Sequence, residues 1–480
     1  MRVSDYFHLN RSQPSLDFVD VDIHGDLRLF VDPRALRLLP TAWGAECVAL
    51  IQNFFRHVLL EIRGGRHERA RSLLSALREP NEVHLGLSLG DRSRGRALGR
   101  ESAHDVWEAL KDSEAVQTGL LEDLEDSILM VPQISSDKVS DIAINLIRGP
   151  LIRYTQEQAA FHGVEMTPGV DSGPLWDPGS HEWHSGFVEL PMTNAGKLLL
   201  VPKSIVRREM TYNYDEYYRH YILAHLRQVE LNANSALVEL LKNGRRRVTA
   251  KALVEKYGQG KAMVVSETLR HPELLRQYRS DKTESGVRPL LTHGDLADQE
   301  GTPPPDWDRL LLAVRDVPMG AAGASSYEKA IEALLTALFY PSLTHPDVQF
   351  EIHDGRKRVD IKYTNTDQAG FFWWLGQHYP APHVFVECKN YRGEVGNPEL
   401  DQLAGRFSPT RGRIGLLVCR HFDDKELFIR RCRDTALDDR GFIIPLDDDD
   451  LGELVSAVSE TVPSSSAHCL LRERFERLVV

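Results

Sequence analysis

VFVECKNY, Val384 to Tyr391, begins as an apolar strand and ends in charge. Side chains two apart on a strand share a face, so Glu387 and Lys389 stand side by side where the strand leaves its core. An ordinary sheet-end ion pair explains such an arrangement, and so does a metal-dependent hydrolytic site. The flanking sequence decides between them.

Upstream, SSYEKAIEALLTALFYP begins with a serine cap and sets Tyr327, Ile331, Leu334, Leu335 and Leu338 on one stripe, which predicts an amphipathic helix that Pro341 ends. At about 100° per residue, Glu328 falls at the stripe's edge and Glu332 is expected to point further toward solvent. Two strands come next, VQFEIHD and KRVDIKYTN, separated by the Asp354-Gly355 turn signal. HVFVECKNY is the third strand. Asn397 and Pro398 open a second helix, PELDQLAGRFSPT, and IGLLVCRHF is a fourth strand. Gln402 in that helix lies roughly 140° from the Leu400, Leu403 and Phe407 stripe, so it either lines a groove or faces water.

Helix, strand, strand, strand, helix, strand, with Asp360 in the second strand and Glu-x-Lys in the third, resembles the restriction-endonuclease-like, or PD-(D/E)XK, nuclease superfamily. The resemblance covers residues 325 to about 450, and the segment from Cys419 onward looks like the region C-terminal to the core in Mrr-like restriction enzymes. It implies catalytic roles for Glu328, Asp360, Glu387 and Lys389, and for Gln402, since Mrr-like and junction-resolving members often carry a glutamine there. Asp360 comes after Arg358-Val359, without the proline of the family's name. Phosphodiester hydrolysis needs an activated water and a charge-neutralised phosphate, and a hard cation held by carboxylates supplies both. The implied ligands for Mg²⁺, or Mn²⁺, are Asp360, Glu387, the backbone carbonyl of Cys388 and Glu328, with Lys389 orienting the water or stabilising the transition state. A bare sheet-end ion pair leaves Asp360 unexplained inside an apolar strand.

The rest of the chain sets bounds. Its 480 residues exceed one typical core, and 42% hydrophobic with 27% charged residues is an ordinary globular composition. With no leader pattern and no bilayer-length apolar run, the expectation is a cytoplasmic protein without a membrane partner. Five cysteines without a CxxC pair argue for reduced thiols. The net charge is -12, yet residues 201–285 hold 16 Lys and Arg against 10 Asp and Glu, whereas residues 325–455 hold 16 against 22. The basic middle block contains NGRRRVTAK, whose Arg245, Arg246 and Arg247 form either a solvated loop or a phosphate-contacting, nucleic-acid-binding patch.

Five segments are expected: a mixed N-terminal domain over 1–170, a central basic domain over 171–295, a linker with one short helix over 296–324, the nuclease domain over 325–455 and a helical tail over 456–480. The fold class is thus an α/β restriction-endonuclease-like domain, a mixed sheet flanked by helices, preceded by helix-rich α+β domains. LDFVDVDIHGDLRLFVDP reads as a hairpin around His24-Gly25-Asp26, with Asp20 and Asp22 as solvent-facing charges. KLLLVP reads as a strand, and VALIQNFFRHVLLEI, SDIAINLIRGPLIRYTQEQ and DEYYRHYILAHLRQVELNANSALVELL read as helices. Tyr217, Tyr218 and Tyr221 are read as packing rather than base-stacking, Asp447 to Asp450 as a helix cap, and His181 and His184 as too few for zinc. The expected activity is Mg²⁺-dependent cleavage of DNA, or of RNA, in restriction or anti-phage defence, as a homo-oligomer or beside a partner protein. The alternative is a catalytically silent scaffold.

Overall fold

The computed structural model describes residues 1–87, 98–284, 290–352, 355–459 and 468–480. Its apolar side chains gather into two clusters. One runs from Val3 to Leu296 and takes in Tyr340, and the other runs from Val314 to Leu478.

The first cluster is mainly helical, around Ala42–Arg63, Ser136–Leu146 and Arg148–His162. It crosses the boundary expected near residue 170, since Phe30–Val31 pairs antiparallel with Val206–Arg207. That pairing also replaces the expected hairpin. Val19 N–H donates to the Val201 carbonyl at 3.0 Å and Leu27 N–H to the His84 carbonyl at 3.0 Å, so these two residues find their partners far along the chain, while Val21 and Ile23 pair with Val3 and Met1. Asp20 is buried, not solvent-facing, and accepts from Ser4 N–H at 2.8 Å and Ser4 Oγ at 2.6 Å. In KLLLVP, Leu198 to Val201 are buried, but it is a strand only at its Gly196–Lys197 edge. The predicted 215–241 helix breaks into Tyr214–Tyr217, a π-turn over Tyr218–Ile222 and Leu223–Asn232, and ends there. Its tyrosines pack: Tyr217 and Tyr218 are buried, and Tyr221 donates to Asp281 at 2.7 Å.

The second cluster surrounds one five-stranded sheet. Helix α1 (Trp307–Arg315) leads into α2 (Ala324–Phe339), and then come β1 (Leu343–Ile352), β2 (Lys357–Asn365), α3 (Gly370–His378), β3 (His383–Lys389), α4 (Asn397–Ala404), β4 (Ile414–Cys419), α5 (Lys425–Leu437), β5 (Phe442–Leu446), α6 (Asp448–Ser459) and α7 (Cys469–Val479). The strands lie in chain order, antiparallel from β1 to β3 and parallel from β3 to β5. β4 is buried along its whole length, as a central parallel strand covered on both faces must be. β5 carries Pro445, which an edge strand tolerates. Asp354 of the expected turn lies outside the described residues.

The stretch expected as linker is built into this body from Trp307 onward. Val314 is buried, and the Arg420 guanidinium donates to the carbonyls of Val314 at 2.8 Å, Arg315 at 3.0 Å and Val317 at 2.9 Å, closing the end of α1. α7 is equally part of the core through Leu471, Phe475 and Leu478. Asp447 accepts from Asp450 N–H at 3.0 Å, so the acidic run does open a helix. Among the described residues no helix is long and apolar enough to cross a membrane, and none of Cys47, Cys388, Cys419, Cys432 and Cys469 is in a disulfide.

One expectation reverses. Glu332 is 1% exposed, because Arg11 from the first body covers that face of α2. Helical spacing located the stripe but not the partner.

Candidate active site

β2 and β3 pair from Thr364–His383 to Ile361–Val386, and there the ladder stops. One step further the register sets Asp360 opposite Glu387, on one face of the sheet. Asp360 substitutes for the missing rung: its Oδ2 accepts from Cys388 N–H at 2.7 Å. A carboxylate is thereby fixed at the opening between two strands.

Across that opening, Lys389 Nζ donates to Glu387 Oε1 at 2.8 Å and to Gln402 Oε1 at 3.2 Å, while Gln402 Nε2 donates back to Glu387 Oε1. The three side chains close a triangle that ties α4 to β3. Glu387 and Lys389 are both buried, at 1% and 9% exposure. Glu387 Oε2 is buried as well and has no hydrogen-bond partner. Gln402 thus turns inward rather than to water.

Glu328 stands at the start of α2, where its Oε1 accepts from Gln349 Nε2 at 2.6 Å. Gln349 gives no sign of itself in the sequence, since a lone glutamine in a strand carries no periodic signal. Arg406, just past α4, is equally silent there; its charge acts on both Asp360 and Glu387.

Burial pushes the Asp360 carboxyl above its ordinary range, and the Cys388 N–H and the Lys389 and Arg406 charges oppose this without cancelling it. Burial raises Glu387 too, reinforced by the Asp360 charge and opposed by Lys389. Glu328 is raised by burial, with Asp360 adding repulsion and Gln349 easing it. Burial disfavours the Lys389 ammonium, but Glu387 outweighs it and holds the lysine above its usual value. Asp360 thus repels both Glu328 and Glu387, and Lys389 offsets the Asp360–Glu387 pair.

A buried carboxylate oxygen without a partner, next to a second carboxylate, fits a hard divalent cation held by Asp360 and Glu387. Glu328 is not drawn into the same compact set. Among the described residues, no group of three or more His, Cys, Asp or Glu side chains is arranged to hold a metal ion. His181 stacks on His57 with ring centroids 4.3 Å apart. Arg245, Arg246 and Arg247 sit apart from the site, exposed on a two-stranded ribbon that pairs Glu239–Leu240 with Arg246–Arg247. Arg247 is tied to Glu239 at 2.8 Å.

A family model described as a domain of unknown function (DUF8370) matches residues 8–213, which excludes every residue of this site. No curated protein and no solved structure matches the chain.

Proposed function

We propose that the chain is a Mg²⁺-dependent endonuclease whose C-terminal body hydrolyses phosphodiester bonds in DNA. The observation that carries this reading is the half-satisfied Glu387, one oxygen gripped by Lys389 and Gln402 and the other buried without a partner, beside Asp360 at the end of a sheet.

A divalent cation bound there supplies charge neutralisation and acidifies a water. Asp360 and Glu387 would hold it, with the Cys388 carbonyl available as a third oxygen. Lys389, anchored on two acceptors, presents a positive charge to the phosphate and stabilises the negative charge that builds on it as water attacks. Gln402 keeps the Lys389 ammonium from swinging away, and Glu328 adds a further carboxylate at the entrance. The exposed arginine ribbon supplies phosphate contacts away from the chemistry. A restriction or anti-phage role rests on the Mrr-like resemblance alone.

A second reading, a silent scaffold, is favoured by two observations: the closed Glu387–Lys389–Gln402 triangle is already a satisfactory buried ion pair, and no three-carboxylate group is assembled among the described residues. Plasmid DNA and an RNA of similar length, incubated with purified protein in Mg²⁺ or in EDTA, separate the two. Cutting in Mg²⁺ that stops in EDTA supports the nuclease, preference between the two polymers assigns the substrate, and no cutting of either with any divalent cation favours the scaffold.

A further inference from the structure

α2 carries two carboxylates one turn apart, Glu328 at the site and Glu332 beneath it. Glu332 is buried, accepts from Thr336 Oγ1 at 3.0 Å, and meets Arg11 Nη1 at 2.6 Å from its Oε2, a close ion pair rather than an aligned hydrogen bond. The other end of the same guanidinium, Nη2, reaches the Lys329 carbonyl at 3.4 Å. Lys329 adjoins Glu328. Arg11 therefore spans the turn of α2 on which Glu328 stands.

Arg11 is itself held from behind. It donates to the Ser15 carbonyl at 3.3 Å and lies over the Phe161 ring at 5.4 Å, both in the first body. On the far side, Tyr363 of β2 donates to the Glu332 carbonyl at 3.2 Å and meets Thr336 Oγ1 at 2.9 Å. The polar contacts thus run from the first body, through α2, into the strand that carries Asp360. A lone surface arginine has no reason to be braced on three sides, whereas a guanidinium that must hold a helix turn at fixed height does.

We propose that Arg11 is a positioning residue of the nuclease site, setting the height of Glu328 relative to Asp360 through the Glu332 ion pair. The proposal rests on the nuclease reading above, and it gives the first body a share in the site without touching substrate.

Removing Arg11 alone strands a buried Glu332 charge, so the informative variant removes both, Arg11→Met with Glu332→Met, in the intact chain. Hydrogen exchange of the first turns of α2 and the affinity for Mn²⁺, read by its electron spin resonance signal, are then compared with wild type. The expected result is a folded protein whose α2 amides exchange about tenfold faster while β3 and β4 keep their protection. Mn²⁺ binding should weaken by a similar factor, and Arg11→Lys, which keeps charge but not the two-point reach, should fall between. Unchanged Mn²⁺ affinity in the double variant overturns the proposal, because faster exchange alone then marks Arg11 as packing. If the double variant does not fold, Arg11→Lys decides, with wild-type Mn²⁺ affinity as the overturning result. A wild-type protein that takes up no Mn²⁺ and cuts nothing sinks the nuclease reading itself, a failure visible before any variant is made.

Discussion

Lys389 is held by two acceptors and paired with a carboxylate that has almost no exposure to water. Lys389→Ala should lower cleavage by about 10²–10³-fold, the usual effect of deleting one donor to developing charge, and leave nucleic-acid binding in place. Cutting at the wild-type rate would sink the assignment. Because the pair is buried, the same change also costs stability, so Mg²⁺ binding has to be measured alongside. Asp360 gives the complementary test. Its pKa and that of Glu387 are raised, so the stability they contribute is complete below the ordinary carboxylate pKa of about 4 and is lost as pH rises through the raised values. Above those raised values the metal-free protein carries two costly charges. Mg²⁺ should raise the melting temperature more at pH 7 than at pH 5. Asp360→Asn, which keeps an acceptor for Cys388 N–H, should raise the metal-free value by on the order of a few degrees and abolish the Mg²⁺ shift. Differential scanning fluorimetry across pH checks both, and an Asp360→Asn protein that still responds to Mg²⁺ contradicts the ligand role.

At the scale of elements, α4 owes its height over the sheet to Phe407, which fills the space left by two glycines. A Cβ at Gly441 would sit 2.2 Å from Phe407 Cδ2, and one at Gly415 would sit 2.8 Å from Phe407 Cζ. Gly441 also has φ +108°, a conformation side chains rarely adopt. Gly441→Ala should thus cost about 1–3 kcal/mol in chemical denaturation and reduce activity by pushing Gln402 off Glu387. Wild-type stability would show that Phe407 has room to move. The sequence carried α2, α4, β1 and β2 because each has one better-buried face and hence a period, and β3 and β4 because each is a continuous apolar run. α3 has none: in GFFWWLGQH, Phe371 and Phe372 are buried while Trp373 is 43% exposed, so the aromatic run draws no stripe. β5 is short and contains proline. Glu387 and Lys389 were legible as charges at the end of a strand, Asp360 as a charge inside an apolar one, and Gln402 through the resemblance. The burial of Glu332 and the pairing of Val19 and Leu27 were not, because the groups that meet them lie about 60 to 320 residues away in the chain, beyond any local pattern.

Across the whole molecule, charge is divided. Residues 325–455 carry a net -6, and their acidic run is locally paired: Asp447 and Asp450 with Lys425, Asp448 with Arg420, and Asp450 also with Arg474 from beyond that stretch. The 201–285 block keeps its arginine ribbon in water. Replacing Arg245, Arg246 and Arg247 with alanine should weaken DNA binding for every sequence and flatten its salt dependence, by about 0.9 in log–log slope for each phosphate no longer neutralised. Arg247 should contribute least, being committed to Glu239. An unchanged slope in a titration from low to moderate salt places the grip elsewhere. Arg420 locks α1 onto the second body. Between the helix His293–Glu300 and α1, only Gly301 to Asp306 join the two bodies, and they include three prolines. Extended, such a leash reaches roughly 19 Å at ~3.1 Å per residue. It keeps each body at an effective concentration on the order of millimolar near the other, so a broken Arg11 contact re-forms at once. A protease cut within the leash turns that reunion into a second-order encounter: the nicked protein should stay whole when concentrated and come apart, with Glu332 uncovered, when diluted.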